Sequence, residues 1–127
     1  MYRSVIFALF LFLTTVTSHA HEMIPTYPKF NSSFMDGLLV TTMELFNKRS
    51  DVGYYEVAVF DKDFNAIPFV SSYTVYKVDY LQRVKFEIYI RIQDEPNVTY
   101  ICSRSRVLEQ KVSNTSVTST ICSKVKR

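Results

Sequence analysis

Hydrophobic and polar residues alternate most regularly between residues 84 and 92. Every second position is apolar, and the positions between them carry charged or amphipathic side chains. The apolar set is Val84, Phe86, Ile88, Ile90 and Ile92. Successive side chains of a strand point to opposite faces, whereas a helix would scatter these five around its axis. The stretch therefore predicts an antiparallel strand with one buried and one solvated face.

Shorter runs rich in β-branched and aromatic residues lie on both sides of this strand, with turn signals between them. The predicted strands are Leu38–Phe46, Tyr54–Phe60, 67–70, 73–78, 98–103 and 117–125, after an extended lead-in at 21–29 that contains two prolines. Several short strands at regular spacing are typical of a β-sandwich or a Greek-key barrel. The chain of 127 residues, 47% hydrophobic, has room for one such domain.

The first residues predict an export signal. Arg3 supplies a positive charge, residues 5–13 are apolar, and Ser18, His19 and Ala20 form a small-x-small cleavage site. The apolar run is much shorter than the roughly 20 residues that span a membrane. We expect a signal peptide at 1–20, a single domain at 21–127 and no stable membrane insertion after cleavage. The alternative is an uncleaved anchor.

Cys102 and Cys122 both follow the signal, within predicted strands. An oxidising compartment favours their pairing as a disulfide. Two buried thiols are the alternative, and two cysteines without neighbouring ligands make a poor metal site.

The segment 38–92 carries a family likeness. A strand ends at Phe46 and Asn47, a polar loop follows, and the next strand contains Tyr55, Val57 and Val59 before the alternating residues 84–92. This order resembles the immunoglobulin-like domain of periplasmic pilus-assembly chaperones. The resemblance implies an immunoglobulin-like β-sandwich of about seven antiparallel strands and an exported binding role. Those chaperones have two such domains, and this chain has room for one.

The residue inventory argues against an enzyme. After cleavage one histidine remains, His21, at the mobile start of the chain, whereas a catalytic triad needs a histidine held by packing. The two glycines, Gly37 and Gly53, cannot form a phosphate-binding loop. We expect no catalytic site and no cofactor.

Binding of a partner protein is the favoured function. Tyr89 lies on the solvated face of the alternating strand between Lys85 and Arg91, and aromatic and arginine side chains often anchor interfaces. Packing at a sheet margin is the alternative role for this tyrosine. A partner strand could add to an exposed sheet edge, and the proline-bearing segments 21–29 and 67–70 are the predicted edges. A net charge of +3 does not indicate nucleic acid.

Two alternatives remain open. A new N-terminal His21 would offer its α-amine and imidazole to copper in the periplasm, because Cu(II) favours nitrogen donors. The second alternative is a structural component of an envelope or particle assembly.

Overall fold

The computed structural model describes residues 20–107 and 118–127. The predicted signal peptide therefore lies outside the described residues except for Ala20. Within those residues, no helix combines the length and the apolar character that a membrane crossing requires.

The described residues form eight strands in two antiparallel sheets. The strands are β1 (Glu22–Ile24), β2 (Asn31–Ser32), β3 (Leu38–Phe46), β4 (Tyr54–Phe60), β5 (Val75–Lys77), β6 (Arg83–Arg91), β7 (Tyr100–Arg106) and β8 (Thr120–Lys124). In the first sheet β3 pairs with β6 on one side and with β1 and β2 on the other. The second sheet has the order β5-β4-β7-β8. This arrangement is the predicted two-layer, all-β architecture.

The alternating strand predicted from the sequence is β6, which pairs with β3 from Leu38 opposite Arg91 to Phe46 opposite Arg83. Its inward side chains Phe86, Ile88 and Ile90 are buried as expected. Ile92 departs from the pattern because the strand ends one residue earlier. It opens a 3-10 helix, Ile92–Asn97, and is 53% exposed.

The core lies between the two sheets and comes from alternate positions of both. The buried apolar side chains that fill its centre are Met43, Leu45, Tyr55, Val57, Val59, Val78, Phe86, Ile88, Ile90, Val98 and Ile101. Removing this apolar surface from water is the main force that holds the sheets together.

Strand boundaries differ from the sequence prediction where tertiary pairing decides them. The predicted strand at 67–70 is reduced to one isolated bridge, with Val70 opposite Tyr89 on the outer edge of β6. The turn signals between the alternating strand and the predicted strand at 98–103 fall in the 3-10 helix Ile92–Asn97. β3 and β4 have the predicted bounds.

The lead-in connects the two sheets at one side of the sandwich. Its first part is β1, which pairs with the end of β3. After a cis bond between Ile24 and Pro25, the carbonyls of Thr26 and Pro28 accept hydrogen bonds from the amides of Lys124 and Lys126, at 3.1 and 2.7 Å. The lead-in therefore covers the C-terminal end of β8 as well as the end of β3.

Candidate functional site

Part of the outer edge of β8 remains open. Since the amide of Lys124 points away from β7 toward Thr26, the alternation of an antiparallel strand turns the backbone groups of Cys122 and Thr120 to the same side. No described residue forms a backbone hydrogen bond with them there. Unpaired backbone groups at a sheet edge can accept an additional strand.

The edge strand β8 is fixed to its neighbour by a disulfide. Cys102 and Cys122 are directly opposite in the β7–β8 pair, with an S–S distance of 2.05 Å and a Cα–Cα distance of 4.1 Å. Directly opposite residues come this close at the non-hydrogen-bonded positions of an antiparallel pair. The disulfide predicted from the sequence is therefore present, and it joins a buried cysteine in β7 to an exposed one in β8.

The outer edge of β6 is covered at one end only. Val70 and Tyr89 exchange both backbone hydrogen bonds, each at 2.8 Å, and the hydroxyl of Ser71 donates to the carbonyl of Glu87 at 2.7 Å. By the same alternation, the backbone groups of Lys85 and Arg83 point outward. In the described part of the chain, nothing pairs with them on that side.

A groove of about 540 Å³ separates β6 from β5, the edge strand of the other sheet. Its lining residues come from both strands, from the loop before β5 and, for Tyr54, from β4: Tyr54, Ser72, Tyr73, Val75, Tyr76, Lys77, Val84, Lys85 and Phe86. Tyr76 and Phe86 form the buried floor, with ring centroids 4.8 Å apart. The hydroxyl groups of Tyr76 and Ser71 lie 2.6 Å apart, which holds the loop before β5 against β6.

The three predicted binding residues lie along the solvated face of β6 in different settings. Arg91 donates two hydrogen bonds to the carboxylate of Asp94, at 2.6 and 3.1 Å, and Tyr89 donates to Glu87 at 2.6 Å. Lys85 has no ion pair among the described residues and borders the groove. Lys85 and Arg91 are six residues apart in β6, which corresponds to about 20 Å along a strand. The three residues therefore do not form a compact cluster, and their role in binding stays a prediction.

His21 points into the protein. Its side chain is 1% exposed, Nε2 lies 2.8 Å from the hydroxyl of Ser103, and Nδ1 lies 3.0 Å from the hydroxyl of Ser119. Burial lowers the pKa of His21, and the nearby Arg49 charge lowers it further, against the opposing effect of the Ser103 carbonyl. Copper binding by this imidazole would require the ring nitrogen that binds copper to leave its serine. The copper site stays a prediction, and the ring's orientation weighs against it.

A buried hydrogen-bond cluster centres on Asn47, at the end of β3. Its amide donates to the carbonyls of Val52 and Val78, at 2.6 and 2.8 Å. Its carbonyl oxygen accepts from the Arg49 amide at 2.8 Å and from the Tyr55 hydroxyl at 2.6 Å. Burial raises the pKa of Tyr55 to about 12. This cluster fixes the loop after β3 and the connection from β5 to β6.

The sequence did not indicate three of these features: the open part of β8, the groove and the Asn47 cluster. In the sequence, Asn47 could be recognised only as a residue at which a strand ends. Its hydrogen-bond partners, and the open edges, depend on which strands become neighbours.

Solved structures share this architecture. One is the E. coli chaperone DraB, with a TM-score of 0.64 and 20% sequence identity, over 84% of this chain and 53% of that one. Another comes from the complex of Salmonella enterica SafA pilin with the SafB chaperone, with a TM-score of 0.62 and 10% identity, over 87% of this chain and 55% of that one. The resemblance to chaperone immunoglobulin-like domains is confirmed. At these identities it establishes the fold alone.

This chain spans about half the length of each of those chains. No family model and no curated protein matches it. In residues 20–107 and 118–127, no group of three or more His, Cys, Asp or Glu side chains is arranged to hold a metal ion.

Proposed function

We propose that this chain is an exported, non-enzymatic binding module that adds a strand of a partner protein to the open edge of β8. The observation that carries this proposal is the outward backbone of Thr120 and Cys122, in an edge strand fixed by the disulfide. The signal peptide at 1–20 and the single domain at 21–127 are parts of the same proposal. The partner class is a pilin-type subunit, as in the SafA–SafB complex.

Strand addition suits an edge with few distinctive side chains. Main-chain hydrogen bonds supply the affinity, and alternate side chains of the added strand supply the specificity. The disulfide between Cys102 and Cys122 favours binding because an edge that is already ordered loses less conformational entropy when the partner arrives. The lead-in forms backbone hydrogen bonds with Lys124 and Lys126 and not with Thr120, although β1 packs beside β8.

The test is capture of purified SafA pilin by the exported protein, with two variants of Thr120. T120P removes the outward N–H and no hydrogen bond to β7, because the Thr120 amide faces away from that strand. Proline is tolerated at the first residue of an edge strand. T120A keeps the N–H and is the matched control. We expect the wild type and T120A to bind the pilin, and T120P to bind about tenfold more weakly.

Equal binding by T120P and T120A would exclude the β8 edge as the site. No binding by the wild type would exclude this partner class.

Export is tested separately by the intact mass of the periplasmic protein, which we expect to begin at His21 and to be two hydrogens lighter than after reduction. A mass that retains Met1 would contradict the proposed signal.

A further inference from the structure

The second sheet also has an open edge, on the opposite side from β8. The amide of Val78 donates to the carbonyl of Gly53 at 2.9 Å, on the side of β4. Alternation therefore turns the backbone groups of Lys77 and Val75 away from β4. Both residues line the groove, and no described residue forms a backbone hydrogen bond with them on the side away from β4.

This open edge of β5 faces the open edge of β6 across the groove. Arg83 and Lys85 present their outward backbone groups from the other sheet, and the cavity of about 540 Å³ lies between the two strands. The groove is thus bordered by unpaired backbone on both sides. Such a site fits an extended chain better than a compact ligand.

The floor of the groove is apolar and aromatic. Tyr76 and Phe86 are buried beneath it, and Val84 and Val75 are half-buried at its walls. Tyr73, 65% exposed, packs edge-on against Tyr76 with ring centroids 5.6 Å apart. Apolar side chains of an added chain would contact this floor, and an apolar lining is the usual character of a ligand groove.

The rim of the groove is positively charged. Lys77 and Lys85 are exposed, and neither forms an ion pair with a described residue. Arg83 does not line the groove and forms an ion pair of 3.4 Å with Glu44, the residue opposite Lys85 in β3. The carboxylate nearest along β6, that of Glu87, accepts a hydrogen bond from Tyr89. Acidic groups on a ligand would therefore find complementary charge at this rim.

We propose that this groove is a second binding site, for an extended segment of another protein in which apolar residues alternate with Asp or Glu. A strand added to β6 directs every second side chain to the floor near Phe86 and Val84. The side chains between them lie on the same face as Lys85 and Arg83. Apolar residues inward and carboxylates outward thus satisfy both surfaces at once. This site is independent of the pilin-binding edge proposed for β8.

The probe is a fluorescent, end-blocked octapeptide that alternates Val and Glu. Two control peptides are used: one with Lys in place of Glu, and one of the same composition that groups the four Val and the four Glu. We expect the alternating acidic peptide to bind at least about tenfold more tightly than either control, because only it matches the floor and the rim together.

Protein variants locate the binding site. K85E reverses a rim charge, and K62E makes the same change in the exposed turn after β4, away from the groove. We expect K85E to weaken peptide binding about fivefold to tenfold and K62E to leave it unchanged. Y73A removes an exposed ring and is expected to weaken binding while leaving the thermal midpoint close to that of the wild type.

Amide exchange identifies the paired backbone. We expect the bound peptide to slow exchange at the amide of Lys85 and to leave the amide of Thr120 unchanged. T120P should bind the peptide normally, and K85E should capture the pilin normally, so failure of either proposal is visible without the other. Equal effects of K85E and K62E, equal binding of the three peptides, or no binding by the wild type would overturn the groove proposal.

Discussion

The two sides of the sandwich differ in how their sheet edges end. On the side of β1 and β8, the lead-in pairs first with β3 and then with β8, so one short segment covers parts of both sheets. On the side of β5 and β6, Val70 and Ser71 of the segment before β5 bond to Tyr89 and Glu87 near the end of β6. The first is called the covered side below, and the second the open side.

The difference shows what is needed to close a sandwich edge. On the covered side, the lead-in is free to pass from one sheet to the other. Its short strand β1 pairs with β3, and the residues after Pro25 bond to β8. On the open side only residues 78–82 connect β5 to β6, and the chain passes directly from one sheet to the other. The groove is what remains where no segment covers both edges.

The largest effect is expected at Asn47, which ties the loop after β3 to the connection from β5 to β6. N47A removes four buried hydrogen bonds, including those to the carbonyl of Val52 within that loop and to the carbonyl of Val78 after β5. Each buried group left without a partner costs about 1 to 3 kcal/mol. We expect the free energy of unfolding, measured in urea, to fall by about 4 kcal/mol.

The matched control is N31A, because Asn31 is exposed and its side chain makes a single hydrogen bond of 3.3 Å, to the carbonyl of Lys29. We expect it to change the free energy of unfolding by less than about 0.5 kcal/mol. Similar losses in N47A and N31A would show that the Asn47 cluster does not stabilise the loop after β3 and the connection from β5 to β6.

A smaller loss is expected on the covered side when the disulfide is removed. The double variant C102S/C122S frees a loop whose ends are 20 residues apart, worth about 3 kcal/mol in the loop-entropy model. Urea unfolding of the variant should match that of the reduced wild type. A variant as stable as the oxidised protein would mean that pairing with β7 and the lead-in is enough to hold β8.

The smallest effect is expected from protonation of His21, also on the covered side. Because burial lowers its pKa in the folded protein, the unfolded chain binds a proton more readily. The contribution of the neutral ring is thus complete above its ordinary pKa of 6.5 and is lost as the pH falls below that value. Thermal midpoints from about pH 7 to about pH 5 should decline less steeply in H21Q than in the wild type. Parallel declines would contradict this assignment.

The sequence predicted the faces of the strands better than their neighbours. Alternation is local, so the bounds of Leu38–Phe46 and the inward positions of Phe86, Ile88 and Ile90 followed from the pattern. The prediction that Ile92 is an inward residue of the strand was wrong, because the same alternation continues one residue into the 3-10 helix. Nothing in the pattern showed that β5 and β6, consecutive along the chain, would belong to different sheets.

The same limit applies to the candidate site. The pattern placed Lys85, Tyr89 and Arg91 on one solvated face, which is where they lie. It did not show that Asp94 would hold Arg91 and that Lys85 would border a groove, since both depend on the course of the chain after the strand. His21 was expected at a mobile terminus, and its burial against Ser103 depends on a strand more than eighty residues away.

The most direct test of the open edges is amide hydrogen exchange of the free protein, residue by residue. Two strands contain their own controls: Lys124 is covered and Thr120 open in β8, and Tyr89 is covered and Lys85 open in β6. We predict that the covered amides exchange at least about tenfold more slowly than the open ones of the same strand. Equal protection along each strand would contradict the open edges, and with them both proposed binding sites.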